Sequence, residues 1–319
     1  SLAEFGPAPA PADTLPKQRE LVTRMHTADL NKLHDGASDV TIARLKACAG
    51  KGCWLQQASS LTSTAEFRIA AQIRLHARLL SMQEVMCRCG NSVDAMSFAD
   101  HTMSCNSVAG YTAIHRHDMV WRAIMACLRR HEIGVMDATV GLHEGSEKPD
   151  FFVFAPTMGG KLAVDVSITH PCARHVVSEA ALEAGAAAVK RELDKEAKHA
   201  VACRAHDYVF CPWVFESFGR WGPRVEADMR KLELETARPL EFRRDMRRSI
   251  ALALQRGNAD LLAHAVIATC RHVASDGQLS CTLPSAAVQL GRAGHRTTFP
   301  AQRHALMCGM LGMPTYDDS

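Results

Sequence analysis

One stretch of nine residues constrains this fold more than any other. From Lys161 to Thr169 the chain alternates strictly. Leu162, Val164, Val166 and Ile168 make one set. Lys161, Ala163, Asp165, Ser167 and Thr169 make the other. A period of two places such sets on opposite faces of a β-strand. The turn residues Pro156-Thr157-Met158-Gly159-Gly160 come before it, and before them an apolar run from Asp150 to Ala155, so the two segments read as a hairpin. Pairing Phe154 with Lys161 sets the register, and that register puts Asp150 opposite Asp165.

Directly opposed residues have Cβ atoms about 4.5–5.5 Å apart, and like charges that close destabilise the sheet by roughly 0.2–1 kcal/mol unless something neutralises them. A divalent cation does so: magnesium prefers one or two carboxylates completed by water and phosphate oxygens. Magnesium or manganese held by Asp150 and Asp165 would activate a water and stabilise charge on a scissile phosphate. The plainer alternative is an exposed hairpin whose acids face solvent separately. Position 167, where a lysine would complete an Asp-x-Lys signature, holds Ser167. The next helix, read from an N-cap at Ser178 to about His199, supplies Lys190, Lys195 and Lys198. Lys195 and Lys198 share a helix face and can polarise a water. Glu192, Asp194 and Glu196 beside them also suit a solvated charged face.

Upstream lie Cys87, Cys89, His101 and Cys105, three thiolates and an imidazole suited to structural zinc. His115 and His117 lie near enough in sequence to substitute as ligands. The alternative is buried cysteines with a surface histidine. Cys48 and Cys53 read as packing residues.

The chain has 319 residues with 47% hydrophobic content, enough for two or three domains. A net charge of +3 does not by itself call for a nucleic-acid partner, so such a surface must come from local clustering. Arg238, Arg243, Arg244, Arg247 and Arg248 form one cluster, with Glu241 and Asp245 as competing ion-pair partners. No run of 18 apolar residues is present, so no membrane span is expected. Twelve cysteines scattered along the chain, with no leader-like apolar segment in residues 1–20, suit a reducing compartment. Proline-rich residues 1–16 read as a flexible linker and 17–83 as helices broken at Ala49–Gly52. Residues 84–106 read as the zinc knuckle. A helix over 112–132 and strands near 134–142, 150–155, 161–169 and 207–215 belong to a unit spanning 107–222. Helix broken near Pro239 and Gly257, then an aperiodic tail, fill 223–319.

In order and spacing these motifs resemble the C-terminal region of site-specific non-LTR retrotransposon proteins that carry a restriction-like endonuclease. These are the elements inserting into ribosomal DNA or trypanosomatid spliced-leader genes. The residues that carry the resemblance are Cys87-x-Cys89, His101 and Cys105; Arg116-His117-Asp118; Lys148-Pro149-Asp150; Asp165; and Lys195-Glu-Ala-Lys198-His199. It covers roughly residues 60–220. Its departures are the Cys-x-Cys spacing with a long insert before His101, and His199 in place of an aromatic residue.

The resemblance implies an α/β PD-(D/E)xK fold, a mixed sheet flanked by helices. It implies Asp150 and Asp165 as ligands of magnesium or manganese, with the catalytic lysine, Lys195 or Lys198, moved onto the helix. Arg116, His117 and Asp118 would support the site or grip DNA, and Arg243, Arg244, Arg247 and Arg248 would contact phosphates. The implied reaction is hydrolysis that nicks target DNA in the nucleus for target-primed reverse transcription. Element RNA, a reverse transcriptase or a host complex would be partners. The chain shows no polymerase motif and is expected to be a fragment, a processed piece or a domesticated derivative. The competing function is a catalytically idle nucleic-acid-binding or scaffold protein.

Overall fold

The computed structural model describes residues 18–48, 64–79, 83–87, 89–138 and 148–275. The expected linker over 1–16, the break at 49–52 with Cys53, the continuation of a strand to 142 and the tail beyond 275 lie outside the described residues. Among the described residues no helix is long and apolar enough to cross a membrane.

The N-terminal region is helical, as its periodicity suggests: α1 (Gln18–His34), α2 (Asp39–Cys48) and α3 (Thr64–Arg74). A short hairpin follows, β1 (Glu84–Met86) with β2 (Ser92–Asp94), then α4 (Phe98–Ser104) and α5 (Asn106–Arg130). The second sheet runs β3 (Gly134–Asp137), β4 (Phe151–Ala155), β5 (Gly160–Thr169) and β6 (Val209–Glu216) in that order. The first two pairings are antiparallel and the last is parallel. α6 (Val177–Leu182) and α7 (Ala186–Ala205) cross over between β5 and β6, and α8 (Pro223–Leu232) and α9 (Pro239–Ser275) follow.

The result is a mixed sheet with helices on both faces. Leu162, Val164 and Val166 pack with Val120, Ile124 and Leu128 of α5, Met229 of α8 and Met246 of α9. On the other face Ala163, Phe152 and Phe210 meet Cys203 of α7. Thus both faces of β5 are covered past Lys161, which stays exposed: Ser167 is buried, and Asp165 meets Lys195 of α7 rather than open solvent. The N-terminal helices and the β1–β2 hairpin form another core with the second half of α9, where Ala43, Ile69, Val85 and Phe98 meet Leu261 and Val266.

Two helix expectations are corrected. The stretch after Ser178 is two helices, because Gly185 takes φ +95°, the left-handed region open to glycine, and breaks the run. Ser178 lies inside α6 rather than capping it. Conversely, α9 runs through Gly257 without a break. An added Cβ there would lie 2.6 Å from Cγ and 3.0 Å from Cα of Arg116. The glycine marks where α5 and α9 touch, a steric reason that the local breaker rule does not contain.

Candidate metal centre and carboxylate site

β1 and β2 are three residues each, so the hairpin needs outside support. It leads Cys87 and Cys89 into a turn in which Gly90 has φ +85° and its N–H donates to the Cys87 carbonyl. α4 brings His101, and Cys105 closes the set at the start of α5. All four ligand atoms lie within 4.8 Å of one another. Cys87 Sγ is 3.8 Å from Cys105 Sγ, and Cys89 Sγ is 3.4 Å from His101 Nε2. A tetrahedral zinc with Zn–S near 2.3 Å and Zn–N near 2.1 Å spaces sulfurs by about 3.8 Å and sulfur from nitrogen by about 3.6 Å. The donor set therefore fits a metal such as zinc. Burial lowers the His101 pKa, which favours the neutral ring that a ligand must present. The backbone N–H of Asn91 beside Cys89 lowers that thiol's pKa, whereas burial pushes Cys87 up to about 11, a proton that a metal would displace. Metal analysis of the purified chain should find one zinc per molecule, and Cys105→Ser should lose it; zinc well below stoichiometry in the parent would reject the centre.

His115 and His117, the substitute ligands, lie elsewhere. His115 Nε2 is 3.4 Å from Asp260, and His117 points at the β4–β5 hairpin.

The hairpin register is the expected one, Phe154 with Lys161 through Phe151 with Val164. The face-to-face placement of its two acids is corrected. The Asp150 N–H donates to the Val164 carbonyl at 2.9 Å, so Asp150 and Phe151 both address Val164 and the strand bulges. A bulge re-aims a side chain. Asp150 Oδ2 accepts the Val166 N–H at 2.6 Å and lies 3.2 Å from His117 Nε2, which also lies 3.1 Å from the Val166 carbonyl. β5 continues past its last paired residue, Val164, on this edge, and the side chains of Asp150 and His117 cover the backbone groups of Val166. Burial pulls the His117 pKa down, but Asp150 and then Asp118 outweigh it and raise the pKa above 6.5.

Asp165 is engaged from the opposite layer. Lys195 Nζ of α7 sits 2.7 Å from Asp165 Oδ2, and each side chain is about 15% exposed. Lys198 lies on the exposed side of α7. The two acids thus reach β5 at consecutive residues, Asp165 itself and Val166, one held by α7 and the other by α5.

The Arg-His-Asp triplet separates into three roles. Arg116 is buried, donates to Asn258 Oδ1 at 3.1 Å, and has its pKa lowered by burial to about 10. Asp118 accepts from Trp121 Nε1 at 3.2 Å and lies 3.5 Å from Arg122. The arginine cluster of α9 is largely turned onto acids. Arg243 forms a two-pronged pair with Glu233, and Arg247 lies 2.7 Å from Glu226 with its guanidinium 4.5 Å from the Trp221 ring. Arg238 pairs with Glu241, and Arg244 lies 3.6 Å from Asp245. Arg248 is half-buried on the same helix.

Sequence reasoning missed three buried groups. Asp100, His170 and Cys172 lie within 4.8 Å of one another, a second set of metal-ligand types. A cation does not suit it. The Asp100 oxygens take Arg44 and His170, and the other His170 nitrogen is 2.7 Å from Ser217 Oγ. Burial opposes ionisation of Asp100, yet His170 and then Arg44 outweigh it and hold the carboxyl below its usual range. Glu192, read from the sequence as part of a solvated charged face, is instead buried, and Glu216 is the third group; burial pushes each up to about 7. The only sequence signal for any of them is that Asp100 adjoins His101 and His170 directly follows β5.

Comparisons of the chain with protein-family models, with curated proteins and with solved structures gave no match.

Proposed function

We propose that the chain is a metal-dependent DNA endonuclease of the PD-(D/E)xK kind, its lysine supplied by the crossover helix. The observation that carries this reading is the 2.7 Å approach of Lys195 to Asp165. A lysine on the helix after the strand, brought to the acid on that strand, is the arrangement the resemblance implies when position 167 is not lysine. The mixed sheet with helices on both faces suits the same fold.

Asp150 and Asp165 would hold magnesium or manganese, whose chemistry is to lower the pKa of a bound water and neutralise charge on a phosphate. Both acids keep some solvent exposure, and such an ion asks the protein for only one or two carboxylates. The chain's own residues do the rest. Lys195, within reach of Asp165, would offer its ammonium to an attacking water or to charge developing on the phosphate. His117 holds the Asp150 carboxylate against Val166 and sets its direction. Target DNA, with element RNA and a reverse transcriptase or host complex, would be the partners, and the nucleus the place of action.

One observation favours a second reading, an idle nucleic-acid-binding or scaffold protein. Both acids already face a basic side chain of the same chain, Lys195 or His117.

Nicking of supercoiled plasmid in magnesium or manganese separates the two. Asp165→Ala, Asp150→Asn and Lys195→Ala should each lower the rate by at least about a hundredfold, and Lys198→Ala far less. A parent that binds DNA but nicks with neither metal leaves the second reading standing.

A further inference from the structure

α4 is seven residues long, too short to hold itself, and it serves two neighbours with adjacent residues. His101 belongs to the Cys/His group of the β1–β2 hairpin. Asp100, the residue before it, reaches the main sheet. Its Oδ1 lies 3.1 Å from His170 Nε2, and its Oδ2 takes the Arg44 guanidinium. His170 immediately follows β5, and its Nδ1 lies 2.7 Å from the hydroxyl of Ser217, which immediately follows β6. The Ser217 N–H donates to the Thr169 carbonyl at 2.8 Å, and Arg44 Nη1 donates to the Ile73 carbonyl at 2.5 Å. Arg44, Asp100, His170 and Ser217 are all buried. One continuous set of hydrogen bonds therefore joins α2, α3 and α4 to the C-terminal ends of β5 and β6, and β5 carries Asp165 five residues before His170.

We infer that zinc in the Cys/His group positions β5: anchoring His101 sets α4, and Asp100 carries that setting through His170 to the end of the strand that bears Asp165. Adjacent residues on one helix move together, so a metal that holds the imidazole also holds the carboxylate. Among the described residues, neither ring nitrogen of His170 and neither carboxylate oxygen of Asp100 has another hydrogen-bond partner to take over if α4 shifts. Asp100 and His170 are thus positioning residues, acting on Asp165 only through the strand. The inference rests on the Cys/His group holding zinc and requires no nuclease activity, so it stands or falls apart from the nicking result.

Hydrogen–deuterium exchange of the full chain, read by peptide with zinc bound and after chelation, tests it. In the parent, zinc removal should speed exchange at 166–170 and 217–218 by at least about tenfold, the least expected for a lost hydrogen bond to a charged group. The centre of the sheet, 151–155, should stay protected. Asp100→Asn should keep stoichiometric zinc yet show the fast exchange at 166–170 already, with no further response to chelation. Ser217→Ala, which leaves α4 untouched, should weaken the same response if Asp100→Asn does not fold. The inference is overturned by a parent whose 166–170 segment ignores zinc, by variants that keep the full zinc response, by chelation that unprotects 151–155 equally, or by a chain without stoichiometric zinc.

Discussion

Gly222→Ala should destabilise the protein by roughly 2–3 kcal/mol, although alanine suits the backbone at that position. Gly222 has φ −66° and ψ 156°, an ordinary extended conformation, and sits at the N-cap of α8. An added Cβ would lie 2.0 Å from Glu192 Oε1, 2.8 Å from its Cδ and 3.1 Å from the Val214 carbonyl oxygen. Val214 is strand backbone and cannot retreat, so Glu192 must. Its oxygens accept the Arg224 N–H at 3.2 and 3.3 Å, closing the first turn of a helix that has no side-chain cap of its own. Displacing them leaves a buried carboxylate and open amides together. Urea unfolding of Gly222→Ala, Glu192→Ala and the double variant forms a cycle. The double variant should cost well below the sum of the singles, because alanine at 222 no longer meets the carboxylate. Additive costs would show that Glu192 is not what the glycine accommodates.

Glu216→Gln should make the protein more stable at pH 8 by roughly 1–3 kcal/mol, a gain that vanishes on acidification. Glu216 is 1% exposed at the end of β6, and neither carboxylate oxygen receives a well-formed hydrogen bond. Arg220 and the Ala188 N–H soften the cost of its charge without meeting it, and burial pushes its pKa up to about 7 from 4.5. Between those values the folded chain keeps a proton that the unfolded chain has released, so this group lowers stability as pH rises from 4.5 to 7 and adds nothing further above. Glutamine is neutral throughout. The difference in unfolding free energy between variant and parent should therefore grow across pH 5–7 and level off by pH 8. A difference that is flat over this range, or that favours the parent at pH 8, would refute the assignment. Glu192, also near 7, leaves the variant with a decline of its own.

The legible parts of this fold were those with local periodicity or ligand chemistry. Alternation from Lys161 to Thr169 gave β5 and its register with β4, because a one-residue slip would turn Leu162, Val164 and Val166 out of the core. Cys87, Cys89, His101 and Cys105 were readable as a group because thiolates and imidazole at close spacing carry their own chemistry. The direction of Asp150 was not readable: it depends on a bulge and on His117, thirty-three residues away on another helix. The unbroken course of α9 at Gly257 depends on Arg116, and the buried Asp100–His170–Ser217 path joins residues 47 and 70 positions apart. No window of sequence contains such pairs. Lys195 lay between: its spacing offered it, and the approach to Asp165 separates it from Lys198.

Where β5 outruns β4, the N–H and C=O of Val166 would form a short open template on which a strand from another molecule could add. Asp150 and His117 occupy both groups. The acid proposed above as a metal ligand also closes this template to strand addition, so a gain in solubility alone would favour keeping it. Its presence therefore speaks less for the proposed activity than does the approach of Lys195 to Asp165, which closes no open strand edge.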